Sequence, residues 1–242
     1  MRCDLKCQGT AAILAPRPSL EAAAMLLDVY SDAVCPWCYI GKRRLDRVLA
    51  TPVGQDVEVH WRAFQLYPMI PPEGVDREAY MKARFGERAG PTRIYEQIVR
   101  EGDSEGIEFR FDRIKRMPNT MEAHRLVAMA EGHGVQSALV ETLFEAYFCE
   151  GEDIGDRDVL AAAGARAGLD PDAVREYLAG DEGRDTVEAE LQWGQAAGIS
   201  GVPCFILERE LAMPGAQDPQ TLGMFFERVK AKLAAGEISP AR

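Results

Sequence analysis

The sequence predicts an α/β fold in which a β-α-β unit and a later β-β-α unit are separated by a block of helices. A short apolar run at 26–31 precedes a helical pattern at 37–49, and a second strand pattern follows at 57–64. Strand patterns return only at 202–208 and 209–213, before a last helical pattern at 219–233. This order is that of a thioredoxin fold with a helical domain inserted in the middle of the chain.

The elements of the first unit are delimited by residues that break regular structure. The run at 26–31 is short and apolar, as in a buried strand, and 37–49 places apolar residues on one face and basic residues on the other. Pro52 and Gly54 end this helix, and 57–64 alternates between the two faces of a strand. Prolines at 68, 71 and 72 then end the sheet character.

The middle of the chain is predicted to be helical, with at most one short strand at 107–109. Asn119 and Glu122 predict a capping box at the start of one of these helices. The predicted helices are 76–85, 92–101, 120–133, 137–148, 156–167, 170–178 and 181–197.

These patterns predict a discontinuous thioredoxin-like domain, 25–72 and 181–235, around an inserted helical domain, 73–180. Residues 1–24 resemble a secretory signal only weakly, because their apolar stretch at 11–15 is short and is succeeded at once by two prolines. We expect them to be a disordered or mis-assigned extension before a start at Met25. The protein is accordingly expected to be cytoplasmic.

Composition excludes some partners. The 242 residues carry a net charge of −11, which argues against nucleic acid or an anionic membrane surface as partner. No apolar run approaches the ~18 residues that a membrane-spanning helix needs.

Cys35-Pro36-Trp37-Cys38 is the most informative motif, because it lies between the first predicted strand and the first predicted helix. At a helix N-terminus, unpaired backbone N–H groups and the helix dipole favour the thiolate of the first cysteine. The alternative is half of a metal site, but zinc would need a second ligand pair, and Cys3 with Cys7 lies in a stretch without regular pattern. The strand-to-helix position favours a redox site without a metal.

Gly201-Val202-Pro203 opens the returning strand, where proline requires special geometry. A cis Val202–Pro203 bond beside the cysteine pair would leave the backbone of Val202 able to pair with an extended substrate. We therefore expect Val202 and Pro203, with Pro36 and Trp37, to form the substrate-binding surface.

The chain resembles the FrnE-like branch of the DsbA family, within the superfamily that also contains 2-hydroxychromene-2-carboxylate isomerase. The resemblance covers about 26–233 and implies a dithiol–disulfide oxidoreductase with a thioredoxin domain and a helical insert. The matching segments are 31–42 (SDAVCPWCYIGK), 61–66 (WRAFQL), 118–120 (PNT), 123–126 (AHRL), 201–203 (GVP) and 215–217 (GAQ).

Four further residues are expected near the cysteine pair: Asp32, Thr120, His124 and Cys204. Cys204 departs from the family pattern, which usually has threonine or another small residue there. Thioredoxins have a buried carboxylate in the first strand, but the corresponding position in this sequence is about Val29, which has none. The proton acceptor for Cys38 therefore has no assignment from sequence.

The expected mechanism is attack by an exposed Cys35 thiolate on a substrate disulfide, followed by resolution of the mixed disulfide by Cys38. The pair itself is the redox centre, so no other cofactor is expected, although glutathione could serve as co-substrate. The partners are protein or small-molecule thiols and disulfides, and a reducing cytoplasm favours a reductase or isomerase.

Two alternatives remain. Glutathione-dependent isomerases of the 2-hydroxychromene-2-carboxylate type and kappa-class glutathione transferases share this layout, but typically have serine for the nucleophilic cysteine and lack the second one. A redox-independent, chaperone-like binding module would use the groove between the domains without cysteine chemistry. The sequence indicates neither an oligomeric state nor a specific redox partner.

Overall fold

The computed structural model describes residues 25–86 and 93–241, so the predicted extension 1–24 lies outside the described residues. The strands are β1 (Met25–Ser31), β2 (Val57–Ala63), β3 (Val75–Asp76), β4 (Arg116–Met117), β5 (Cys204–Leu207) and β6 (Leu211–Pro214). The α-helices are α1 (Pro36–Leu49), α2 (Arg77–Phe85), α3 (Arg93–Ser104), α4 (Met121–Glu131), α5 (Gln136–Phe144), α6 (Arg157–Arg166), α7 (Pro171–Ala179), α8 (Arg184–Ala196) and α9 (Pro219–Ala234), and a π-helical segment spans Glu145–Glu150.

The main sheet has the strand order β2-β1-β5-β6. β1 pairs in parallel with β2 and antiparallel with β5, and β5 pairs antiparallel with β6. β1 and β5 are central and almost wholly buried, as expected for strands covered on both faces. This confirms the predicted α/β thioredoxin-like fold, with helices inserted between β2 and β5.

The inserted helices join the sheet domain in one hydrophobic core. α1 packs against α9 and also contacts α3 and α5 of the insert, while α4, α5 and α8 contact β2. Tyr39 of α1 is 1% exposed and its ring stacks on Phe144 and Phe148. The start of α1 is therefore held between the sheet and the insert.

Two local predictions were wrong, each for a physical reason. The insert contains a short strand pair that was not predicted, in which β3 and β4 pair antiparallel. The one strand considered possible, at 107–109, does not form, and the Phe109 ring instead contacts Phe148. The capping box does not form, because Glu122 instead forms ion pairs with Arg125 and Arg184. Only the Asn119 side chain acts at this helix start, accepting a hydrogen bond from the backbone N–H of Met121.

The described part of the chain has no helix that is both long and apolar enough to cross a membrane. Within the same residues, no group of three or more histidine, cysteine, aspartate or glutamate side chains could hold a metal ion.

Candidate active site

Cys35 is the N-cap of α1, at the end of a tight turn that follows β1. Its backbone N–H donates to the carbonyl of Asp32 at 2.9 Å, and its own carbonyl accepts from the N–H of Cys38 at 3.0 Å. Pro36 follows at the first helical position, where its missing N–H costs no helical hydrogen bond. The Cys35 thiol thus lies at the positive end of the helix dipole.

The second half of the predicted site lies directly against Cys35. The Val202–Pro203 peptide bond is cis, and the Cys35 thiol donates a hydrogen bond to the carbonyl of Val202 with Sγ···O of 3.6 Å. The Pro203 carbonyl accepts from the N–H of Gly215 at 2.7 Å, which ties this turn to the end of β6. The fold therefore brings together two motifs that are 167 residues apart in sequence.

Cys38 is buried in the first turn of α1, with only 1% of its surface exposed. Burial raises the pKa of its thiol well above the ordinary value, and the hydrogen bond and charge of Cys35 raise it further. A hydrogen bond from Ser31 and one from the backbone of Asp32 act in the opposite direction. At neutral pH Cys38 is therefore held as a protonated thiol, which suits a resolving cysteine that must wait for the mixed disulfide.

The expectation that Cys35 is exposed was wrong, since its relative exposure is 4%. Cys35 instead forms part of the wall of a cavity of about 520 Å³ that also contacts Pro36, Trp37 and Val202. Pro36 and Trp37 are half-buried. A substrate disulfide must therefore reach Cys35 through this cavity rather than from an open surface.

Asp32, Thr120 and His124, all predicted near the pair, are linked to one another: Asp32 lies in the turn before Cys35, and Thr120 and His124 lie at the start of α4. Asp32 is fully buried, and its Oδ2 accepts a hydrogen bond from the N–H of Leu66 at 2.7 Å. Its Oδ1 has no hydrogen bond, and Nε2 of His124 lies 3.5 Å away while also contacting the Phe64 carbonyl at 2.9 Å. The backbone carbonyl of Thr120 accepts from the N–H of His124. Asp32 and His124 therefore tie the chain after β1 and the start of α4 to the chain that follows β2.

Cys204 directly follows Pro203 on β5, but its side chain packs away from the cavity. It is 5% exposed and lies in a small apolar cluster with Tyr30 and Ile206. Burial raises the pKa of its thiol. This placement favours the interpretation of Cys204 as a packed apolar side chain.

Sequence reasoning missed most of the cavity wall. The insert contributes several aromatic residues and one cation, Arg77 at the start of α2. No spacing signal could have found them, because they come from separate elements that only the packed insert brings together. The aromatic members are Tyr95, Phe111, Tyr147 and Phe148.

Gly41 lies one helical turn after Cys38 and allows α1 to approach the Pro203 turn closely. A Cβ at this position would lie 2.9 Å from Cγ of Pro203, a contact that the rigid ring cannot easily relieve. We expect Gly41→Ala to lower the free energy of unfolding by about 1–3 kcal/mol through overpacking, although alanine is the better helix former by about 1 kcal/mol. Urea denaturation measures this change.

Gly223→Ala is the matched control, because a Cβ on this α9 glycine would meet only Val53, at 4.0 Å. That variant should be as stable as the parent or more stable. Equal effects of the two substitutions would show that the contact between Gly41 and Pro203 is not tight.

The comparisons with known proteins agree with this geometry. The model of the DSBA-like thioredoxin domain matches residues 26–226. The chain belongs to this family. The matched range includes the Cys35–Cys38 pair at the start of α1.

Three relatives illustrate the range of similarity. The protein YwbO of Bacillus subtilis (strain 168), described as uncharacterized, is 28% identical over 191 residues, covering 78% of this chain and 90% of that protein. A probable DsbA oxidoreductase from Streptomyces coelicolor is 28% identical with a TM-score of 0.77, over 90% of this chain and 93% of that one. The cytosolic disulfide reductase DsbM from Pseudomonas aeruginosa, solved with GSH, shares the fold at 22% identity and a TM-score of 0.62, over 85% and 99% of the chains.

Proposed function

We propose that this protein is a thiol–disulfide oxidoreductase that reduces or isomerises disulfides through its Cys-Pro-Trp-Cys pair, with Cys35 as nucleophile and Cys38 as resolving cysteine. The observation that carries the proposal is the position of Cys35 at the N-terminus of α1, in hydrogen-bonding contact with the Val202 carbonyl. Membership of the DSBA-like thioredoxin domain family supports it.

The chemistry needs no group beyond the pair. The Cys35 thiolate attacks one sulfur of a substrate disulfide, which forms a mixed disulfide and releases the first substrate thiolate. Cys38 then loses its proton and attacks Sγ of Cys35, which releases the second thiolate and leaves an enzyme disulfide. The pair supplies two electrons; one proton is lost when the Cys35 thiolate forms and the second when Cys38 attacks, and an external thiol such as glutathione must restore the dithiol.

Two finer assignments are part of this proposal. We place the chain in the FrnE-like branch, on the motifs around Cys35, His124 and Pro203. We also place it in the cytoplasm, where a reducing thiol pool would keep the pair as a dithiol and favour reduction or isomerisation over oxidation.

Reduction of insulin with glutathione as electron source tests the proposal. The protein should accelerate the appearance of the insoluble B chain well above the rate with glutathione alone, and a variant with both Cys35 and Cys38 replaced by alanine should not. An unaccelerated reaction, combined with glutathione-dependent turnover of 2-hydroxychromene-2-carboxylate, would replace this proposal by the isomerase alternative. The binding module would be favoured if the double variant suppressed client aggregation as well as the parent does and the parent showed no disulfide turnover.

A further inference from the structure

The cavity over Cys35 has the size and composition of a small-molecule site. Its volume of about 520 Å³ lies within the ~300–1,000 Å³ typical of ligand pockets. Trp37 of α1, Leu66 after β2, Tyr95 of α3 and Phe148 of the π-helical segment form parts of its wall. Such walls favour aromatic or aliphatic groups and penalise polar groups that they cannot hydrogen-bond.

Arg77 is the single charged side chain among the described residues that line this cavity. It is half-buried at the first position of α2, and its guanidinium donates a hydrogen bond to the Tyr95 hydroxyl at 3.1 Å. No carboxylate of the described residues forms an ion pair with it, whereas Arg44, Arg62 and Arg125 each have at least one carboxylate partner. Arg77 therefore retains donors for an anionic group that enters the cavity.

The other polar groups of the wall do not neutralise this cation. Burial raises the pKa of the Tyr67 and Tyr147 hydroxyls, so both are uncharged at neutral pH. Tyr147 already hydrogen-bonds the Arg116 carbonyl. The cavity therefore offers one positive charge and one nucleophilic thiol on walls that are otherwise uncharged and mostly apolar.

This combination makes peptide-like disulfides, such as those of insulin or glutathione disulfide, poorer substrates than small aryl disulfides. Glutathione disulfide and an extended protein segment would bring several carboxylate, ammonium or amide groups into the cavity, and most would lose their water without a partner. An aryl disulfide with one acidic group on each ring matches the wall better, because aromatic side chains form much of the wall and Arg77 lines the same cavity as Cys35.

We propose that the cavity selects low-molecular-weight aryl disulfides that carry a carboxylate, with the disulfide at Cys35 and the carboxylate at Arg77. This inference rests on the proposed oxidoreductase function and names its substrate class. The Cys35 thiolate attacks one sulfur and one aryl thiolate leaves. Cys38 then displaces the second aryl thiolate and its proton passes to solvent, so the dithiol gives up two electrons and becomes a disulfide.

Single-turnover kinetics with the pre-reduced protein test this substrate class. The probes are two diphenyl disulfides that differ only in the para substituent, carboxylate or carboxamide, and each rate is divided by the rate with dithiothreitol to remove intrinsic reactivity. The parent should prefer the carboxylate by about tenfold or more, which is the scale of one charge-assisted hydrogen bond. Arg77→Gln should abolish this preference, and Arg77→Lys should restore part of it.

Arg175→Gln is the control, because Arg175 is an exposed side chain on α7 that does not line the cavity. It should keep the preference of the parent for the carboxylate probe.

The salt dependence of the parent supplies a readout without any variant, since high salt should reduce the rate with the carboxylate probe and leave the rate with the carboxamide probe unchanged. The inference is overturned if the parent reduces both probes equally, or if its preference survives in Arg77→Gln. If the parent reduces neither probe nor insulin, the proposed function itself fails.

Discussion

Cys38→Ser is expected to stop the reaction at a mixed disulfide on Cys35, while Cys35→Ser forms no adduct. The expectation follows from burial, since Cys38 is enclosed in α1 and the cavity reaches Cys35. Turnover should fall by about a hundredfold or more in both variants, because nucleophile and resolving thiol act as one unit. Intact-protein and peptide mass spectrometry after incubation with a substrate disulfide identify the adduct and its position.

Cys149→Ser and Cys204→Ser are the controls for this experiment. Both positions are outside the wall of the cavity, and burial raises the pKa of both thiols. Each variant should retain the turnover of the parent. Equal trapping by Cys35→Ser and Cys38→Ser would contradict the assigned roles.

Arg125→Ala is expected to lower the free energy of unfolding by about 3–5 kcal/mol, the cost of breaking a buried charged network. Arg125 is fully buried in α4, where it forms an ion pair with Glu122 at 2.8 Å. Its guanidinium also donates to the carbonyls of Tyr177, Gly180 and Glu182. Without Arg125, the Tyr177 carbonyl in α7 and the Gly180 and Glu182 carbonyls after it lose their donor. The protein also loses a contact that joins α4 to α7 and to the segment between α7 and α8.

Urea denaturation of matched variants measures this effect. Arg175→Ala removes an arginine of the same insert whose ion pairs with Asp158 and Asp172 are exposed, and should cost less than about 1 kcal/mol. Arg125→Lys should recover only part of the loss, because an ammonium cannot reach all the acceptors of the planar guanidinium. Similar losses for Arg125→Ala and Arg175→Ala would contradict the structural role of Arg125.

The sequence was sufficient for the fold and for the two halves of the cysteine site because each has a local signal. A short apolar run marks β1, alternation marks β2, and the cysteines follow β1 at the turn into α1. Pro203 is recognisable at the start of β5, since proline is rare at such positions. The insert separates the cysteines and Pro203 in sequence, but their contact follows once β1 is known to lie beside β5 at the centre of the sheet.

The rest of the site depends on packing that no short pattern encodes. Residues 137–148 were predicted as one helix, whereas the structure ends α5 at Phe144 and continues with a π-helical segment. In this segment the Phe148 carbonyl accepts a hydrogen bond from the backbone N–H of Arg110, and the Phe148 ring joins the cavity wall. The position of Arg77 likewise follows from the packing of the insert, so neither residue could be assigned to the site from sequence.

The reduction potential of the Cys35–Cys38 pair tests the central claim most directly. It is measured by equilibrating the protein with glutathione buffers of known ratio and quantifying both redox forms by mass spectrometry. We expect one two-electron transition below about −200 mV, nearer thioredoxin at about −270 mV than DsbA at about −120 mV, as reduction in a thiol-rich compartment requires. A potential near that of DsbA would contradict the proposed direction, and the absence of a Cys35–Cys38 disulfide at every ratio would contradict the redox function itself.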